Sequence, residues 1–564
     1  MSINGALHVG RSALLTSQAA MQVAGDNMAN AATPGFHRRT VHMSPLQGQH
    51  IGFGQSIGQG VQITAIRREV DLALQSRFRD ATSRESARLI DQRFLTAMET
   101  IQNELTDNDL SSMLSTFFNG FSELANNPSD HAIRAVVIQQ GQSLADRLGT
   151  MREDYTRVAK EIDQTLDMAV ASANDLLTRI KQTNAEITAA EITGAEAASL
   201  RDQRDMLLDE LAQYIDITVI EQPGSVGSVD VFVGSTPLLL AGNLRGIEVR
   251  SEDVDGQRQL TVRLASDGTN LKPTGGMIGG LLTQRESTVN PMLDTIDTFA
   301  GELIFQVNRL HSQGQSGKGF PSVMGSYKLD SPAVAFNSSD SGLPFSIDNG
   351  SFFIHVTHEE SGVRTAHEIN VNGSMSMNDL ISHINDVVGV PNVTASLGPY
   401  NQLQLTAASG HTMSFSDDTS GALAALGVNT FFTGGNASDI GVNQVLVDDP
   451  GLLSTGHGHV NGSNDTALQI AKLSEVSLSG LGGKTLRGYW QDSVSTLGVK
   501  LGAANAAVDS TRLVRESLDA QIQSNSGVSL DEESINLLMF QRQFQAAARY
   551  ISVIDETLQT LLNL

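Results

Sequence analysis

Apolar and small residues recur at alternating spacings of four and three from the start of the chain: Ile3, Leu7, Gly10, Leu14, Ser17, Met21, Ala24, Met28 and Ala31. That period predicts a helix with a single apolar seam. Large and small side chains take turns along it, so a partner helix can approach closely at every second contact. Thr33-Pro34-Gly35 stops the helix, because proline disfavours helical geometry before it and glycine permits a turn. At the other end Leu537, Phe540, Phe544, Ala547, Ile551, Ile554, Leu558 and Leu561 keep the same rhythm to the last turn. An upstream seam runs through Val494, Leu497, Leu501, Ala504, Val508, Leu518 and Ile522, interrupted by Thr511 and Arg515. Ser529 is the expected N-cap of the last helix, with Glu532 at the capping-box position.

Between these ends the pattern changes several times. Residues 36–70 are glycine-rich and extended, with an alternating strand Val61–Ile66. Residues 71–215 read as helix with a break at Asn126-Asn127-Pro128-Ser129. From Ile215 to about Lys272, β-branched alternation and the turn pairs Pro223-Gly224, Asp255-Gly256 and Asp267-Gly268 predict strands. Helix returns from Gly279 to His311. From Pro321 to Asp465 the composition shifts to Ser, Thr, Gly, Asn and Asp, with Lys328 and Arg364 as the only basic residues. Strand-like runs there (Phe352–Val356, Leu403–Leu405) predict a mainly β insert, and helix resumes at Thr466.

The fold class read from this pattern is α+β and multi-domain. A terminal coiled-coil hairpin (1–70 with 525–564) is joined to a helical-bundle domain built from both arms (71–215 with 279–320 and 466–524). A small β module (216–278) and an inserted, mainly β outer domain (321–465) complete it. A long apolar seam at each terminus is a coiled-coil signature. An isolated helix of this length is marginal in water, so much of both ends is expected to order only against neighbouring subunits.

Composition narrows the function. The chain has 564 residues, enough for about four domains at one per ~150. With 37 Lys+Arg against 62 Asp+Glu its net charge is −25. That excludes nucleic acid and anionic membranes as expected partners, since both demand a basic face. There is no cysteine, hence no disulfide, thiol nucleophile or thiolate metal site. No secretory signal is expected at the N-terminus and no membrane span anywhere.

Short motifs give no catalytic reading. Gly54-Gln55-Ser56-Ile57-Gly58 matches G-x-S-x-G but lacks the strand before and helix after that a nucleophile elbow requires. Gly482-Gly483-Lys484-Thr485 resembles the end of a phosphate loop, yet the first glycine is replaced by Leu478. His355, His358 and His367 stand near Glu359, Glu360 and Glu368, but positions three apart on a strand face opposite sides, which disfavours a shared metal. His457-Gly458-His459 and Asp417-Asp418 read as loop and turn. No metal, cofactor or catalytic residue is expected, and the chain is read as a non-enzyme.

Asn27-Met28-Ala29-Asn30-Ala31-Ala32-Thr33-Pro34-Gly35-Phe36 resembles the N-terminal signature of bacterial flagellar rod, hook and hook-associated proteins. Ser529-Leu530-Asp531-Glu532-Glu533, continuing through Gln541 to Leu562, resembles the terminal helix of the same axial family. Interior runs resemble its hook-associated members: Phe117-Phe118 with Leu124-Ala125-Asn126-Asn127-Pro128, Arg201-Asp202-Gln203-Arg204-Asp205, and Gly275 to Leu282. Asn308-Arg309-Leu310-His311 with Gly314, Ala424 to Gly434, and Asn464 to Leu468 extend the likeness in order along the chain. The insert at 321–465 carries it least.

The resemblance implies a structural adaptor between flagellar hook and filament, exported without a cleavable signal through the flagellar type III apparatus and located outside the cell. Its implied partners are like subunits in a ring, the hook protein, a second hook-associated junction protein and an export chaperone holding the C-terminal helix. The implied family motif is Asn27, Asn30, Thr33, Pro34, Gly35 and Phe36. Assembly is assigned to the N-terminal seam (Ile3, Leu7, Leu14, Met21, Met28). Assembly and chaperone binding are assigned to the C-terminal seam (Leu537, Phe540, Phe544, Ile551, Ile554, Leu558, Leu561), because an exposed apolar stripe invites premature association. Other axial proteins such as the hook subunit, and an enzyme or metal-dependent module in the insert, are the alternatives.

Overall fold

The structure is a computed structural model and describes residues 3–52, 55–103, 109–192, 194–221, 227–254, 257–389, 392–457, 460 and 462–562. Of residues 50–52, 55, 253, 254, 257, 561 and 562 only the backbone is described. The helices are α1 (Ile3–Ala29), α2 (Leu72–Gln102), α3 (Leu110–Asn126), α4 (His131–Glu191), α5 (Ala198–Tyr214), α6 (Gly276–Gln284) and α7 (Asn290–Ser312). They continue with α8 (Met377–Val388), α9 (Ala422–Ala425), α10 (Gln444–Asp448), α11 (Asp465–Lys472), α12 (Leu486–Ser526) and α13 (Leu530–Leu562). Among the described residues none of these is long and apolar enough to cross a membrane.

The chain divides into two compact units, one of Met1–Arg93, Glu161–Glu286 and Gly502–Leu564, the other of Phe94–Lys160 and Ser287–Leu501. In the first, α1 and α13 pack along one another, so each end finds a partner within the chain. The 4-3 rhythm sets this contact. Ile3, Leu7, Leu14, Met21 and Met28 are half-buried, while the small or polar Gly10, Thr16, Ser17, Ala20, Ala24 and Asn27 are fully covered. On α13, Leu537, Phe540, Phe544, Ile551 and Leu558 are half-buried and Ile554 is buried. The side chain of Leu561 lies outside the described residues. A Cβ on Gly10 would sit 2.6 Å from Ile551 Cγ1, so the helices meet there with no room for a side chain. Gly10→Val is therefore expected to destabilise the α1–α13 pair by about 2–3 kcal/mol through overpacking. Hydrogen exchange checks this: amides of both helices should lose protection together, while unchanged protection would mean the helices tolerate separation.

Beside α1 an antiparallel ribbon pairs Arg39–Pro45 with Val61–Arg68, and a small hairpin joins Gln49–Gly52 to Gln55–Ile57. The expected strand at 61–66 is thus present and two residues longer. The same unit holds a four-stranded antiparallel sheet (Thr218–Glu221, Val229–Val233, Thr236–Leu240, Asn243–Leu244) and a three-stranded one (Ile247–Val254, Gln257–Leu264, Asn270–Leu271). The turn pairs Pro223-Gly224 and Asp255-Gly256 lie outside the described residues. The second half of α12 contributes a stripe including Ala504 and Val508, both buried, with Leu518 and Ile522 half-buried. The interruption at Arg515 is answered by an ion pair with Glu85 on α2.

Among the described residues the helical stretch expected over 71–215 is four helices, α2 to α5, with the expected break at 126–129 falling between α3 and α4. Likewise the 279–311 helix begins at Gly276 and passes through a π-helical turn, Arg285–Val289, into α7.

The second unit has an aromatic core of Phe117, Phe121, Phe431 and Phe432, with ring centroids 4.7–5.7 Å apart. Among the described residues its insert holds two three-stranded antiparallel sheets, ordered Arg364–Val371, Gly350–His358, His411–Ser416 and Ser322–Met324, Leu403–Ala407, Val393–Leu397, and a short ladder of Phe432–Thr433 with Gly441–Val442. Helix α8, opened by a full capping box of Ser376 and Asp379, packs on strands of both sheets. Phe352, Ile354, Ile369, Leu380, Ile384, Leu403 and Leu405 share their core.

Candidate assembly site

The two terminal signatures meet. Asn27, fully covered on α1, uses its amide like a strand neighbour: Arg39 N–H donates to Oδ1 at 3.0 Å and Nδ2 donates to the Arg39 carbonyl at 2.9 Å. The same Nδ2 lies 3.2 Å from Oε2 of Glu533, whose other oxygen accepts from Arg38 Nε at 2.8 Å. Arg38 N–H donates to the carbonyl of Ser526, the last residue of α12. Glu533 is only 3% exposed, so this carboxylate is a buried rivet between the beginning and end of the chain. Glu532, at the expected capping-box position, turns its carboxylate to Arg38 instead, while its own N–H lies 3.4 Å from Ser529 Oγ.

The rest of the motif builds the turn that aims Arg38 and Arg39. Asn30 Nδ2 donates back to Asp26, Thr33 N–H donates to the Asn30 carbonyl and Phe36 N–H to that of Thr33. Gly35 holds φ +73°, a conformation that favours glycine, and a Cβ there would press on the Met206 side chain. Thr33, Pro34 and Gly35 are exposed, and Phe36 is half-buried with the Arg39 guanidinium 4.9 Å above its ring.

Beneath this turn the interior run 201–205 becomes legible as chemistry. His37 Nδ1 bonds Asp202 at 2.8 Å and its Nε2 bonds Gln75 at 3.0 Å. Arg68, from the ribbon, donates to Asp202 and Asp205 at 2.8 Å each. Arg79, on α2, reaches Asp205 at 3.4 Å and Asp209 at 2.6 Å. Burial raises the Asp205 pKa, but the charges of Arg68, Arg79 and Arg204 outweigh it and hold the carboxyl below its ordinary range. Burial lowers Arg204 to about 10, which leaves it charged at neutral pH. The network fastens the N-terminal turn and ribbon to α2 and α5.

In the second unit the runs at 308–314 and 424–434 form a second lock. Asn308 Oδ1 accepts from Phe431 and Phe432 N–H at 3.0 and 2.8 Å, and its Nδ2 donates to the Phe432 carbonyl. Asn429, at φ +50°, donates to the carbonyls of Ser312 and Gly314, closing the C-terminal end of α7. His311 Nε2 accepts from Ser454 N–H at 3.0 Å, so Nδ1 carries the proton that meets the Asn429 carbonyl at 2.8 Å. Arg134 is buried on carbonyls, those of Pro128, Gly451 and Leu453.

Burial drives the His311 pKa down to about 4. The folded state thus binds this proton less readily than an unfolded chain, whose histidine titrates near 6.5. Its contribution is complete above pH 6.5 and is lost as pH falls towards 4, up to about 3 kcal/mol. Urea unfolding at pH 7 and 5 should show a steeper loss for the natural chain than for His311→Gln; equal losses would contradict a buried neutral histidine.

The remaining motif positions fall on structural elements. Ser56 lies in a hairpin strand with no helix after it, and Gly54 is outside the described residues. Gly482 and Gly483 adopt positive φ after a 3-10 turn rather than a strand. His355 and His367 lie on opposite faces of their sheet, since His367 is paired with core-facing Ile354. His358 stacks edge-on with His411. Gly458 and His459 lie outside the described residues. Among the described residues no three histidine or carboxylate groups converge as metal ligands.

Residues 95–322 match the family model described as "Flagellar hook-associated protein FlgK helical domain", and residues 520–564 match "Flagellar basal body rod FlgEFG protein C-terminal". Flagellar hook-associated protein 1 of Bacillus subtilis is 25% identical over 568 residues, spanning 99% of this chain and 97% of that protein. From end to end, this chain is similar to flagellar hook-associated proteins. The Escherichia coli protein of the same name is 24% identical, with 98% of each chain covered. In fold, the chain is similar to the flagellar hook junction protein FlgK of Burkholderia pseudomallei, at a TM-score of 0.50 and 14% identity over 80% of this chain and all of that one. The two family-model matches include the α5 and α7 residues of these networks and the helix bearing Glu533.

Proposed function

We propose that this chain is the structural adaptor that connects the flagellar hook to the filament. The observation that carries the reading is the collinear likeness to flagellar hook-associated protein 1 from end to end, with both terminal signatures bonded through one buried carboxylate. Its work resides in packing rather than catalysis. The helix hairpin α1–α13 forms the inner part that meets other axial subunits, and the β insert at 321–465 is the outer domain of the four-part organisation read from the sequence. Before export, unfolded, the C-terminal seam from Leu537 to Leu561 is the segment a cytoplasmic chaperone covers; after export without a cleavable signal, subunits form a ring on the hook and receive a second junction protein. The hook subunit is the weaker reading, because the match over 95–322 is to a helical domain of the hook-associated kind.

The test is electron microscopy of a deletion strain with its medium assayed for shed flagellin. Bare hooks with flagellin in the medium support the adaptor. Absent hooks would move the chain to hook or rod, and normal filaments would overturn the reading.

A further inference from the structure

Covering the α13 seam with α1 leaves a different stripe of α13 outward. Ile535, Leu538, Met539, Tyr550 and Val553 are exposed large apolar side chains, Ile535 by 66%. Within that stripe Arg542 and Arg549 are exposed, and neither makes an ion pair among the described residues. Between them, one turn from each, stands the small Ala546. The terminal half of α12 shows the converse. Asp509 and Glu516 are exposed and hold only loose contacts with cations of their own helix, 3.6 Å to Arg512 and 3.8 Å to Arg515. Between them protrudes Leu513, 67% exposed, beside the exposed Val514.

We infer that the Arg542–Ala546–Arg549 face of α13 docks on the Asp509–Leu513–Glu516 face of α12 in a neighbouring copy of this chain. Both charge pairs are seven residues apart, about 10.5 Å along a helix, so one register satisfies both. The large residue of one triplet faces the small residue of the other. Copies carrying a net charge of −25 repel each other, and a contact between them needs local positive charge, which these two arginines supply. The two faces are different surfaces, so the contact is head-to-tail and propagates to a ring or helix rather than closing as a dimer. This inference rests on the adaptor reading and adds the surfaces by which copies meet.

The test uses the full chain in isolated hook–filament structures. The chain has no cysteine, so Leu513→Cys with Ala546→Cys should give an oxidation-dependent ladder of dimers and higher species, while either substitution alone gives none. Arg542→Glu with Arg549→Glu should lower incorporated copies at least tenfold. Adding Asp509→Arg and Glu516→Arg should restore them to within about twofold. A variant present in the structures that gives no ladder, or a fourfold swap that folds by circular dichroism and fails to restore, overturns the docking alone. Absence of the unaltered chain from isolated flagella overturns the adaptor reading and the docking with it.

Discussion

Asp205→Ala is expected to cost the terminal unit about 3–5 kcal/mol of unfolding free energy. The carboxylate stands between Arg68 and Arg79, whose side chains are 4% and 7% exposed. Among the described residues, removing it leaves Arg68 with Asp202 and Glu196 and Arg79 with Asp209 alone. The buried network thus loses the one carboxylate that both cations share, and breaking a buried pair costs far more than an intact one contributes. Because its pKa is held below the ordinary value of 3.8, Asp205 contributes fully above that pH, and the contribution drains away as pH falls through the lower folded value. Urea unfolding of the full chain at pH 7 checks the size of the effect. A change under about 1 kcal/mol would mean the network is solvated and holds nothing together.

Glu533→Ala is expected to unfasten the ends. The substitution deletes a charged acceptor from Arg38 and Asn27, for which about 2–3 kcal/mol is the ordinary scale of charge-assisted bonds. Arg38 keeps its contact with Glu532 and Asn27 its pairing with Arg39, so the unit should stay folded while α1 and α13 lose amide protection near the turn. Glu533→Gln, which retains an acceptor, should lie between. Incorporation into flagella should fall with the alanine variant, and full protection together with normal incorporation would remove the rivet from the account.

Much of this was legible in the sequence, for physical reasons. The 4-3 rhythm placed both terminal helices because a helix buries one stripe, and the Thr33-Pro34-Gly35 stop marked the end of the first within a few residues of Ala29. Alternation marked the ribbon strand at Val61 and two strands of the insert, those at Phe352 and Leu403, and left its other strands unmarked. The seam from Leu537 to Leu558 read both as half of a terminal hairpin and as a face for neighbours; in the structure it lies towards α1, while periodicity was silent on the outward Ile535, Leu538 and Met539. Glu533 stood out only as part of the family-like run 529–533, because nothing local reveals that Asn27 and Arg38 arrive from the far end of the chain. Asp202 and Asp205 were conspicuous only as part of a family-like run. Their partners Arg68 and Arg79 lie more than 120 residues upstream, a separation that no window of sequence joins.

Immunogold labelling of isolated intact flagella with an antibody to this chain tests the central claim most directly. A single narrow band where hook meets filament is the expected result. Label spread along the hook or filament, or none on the flagellum, would contradict it.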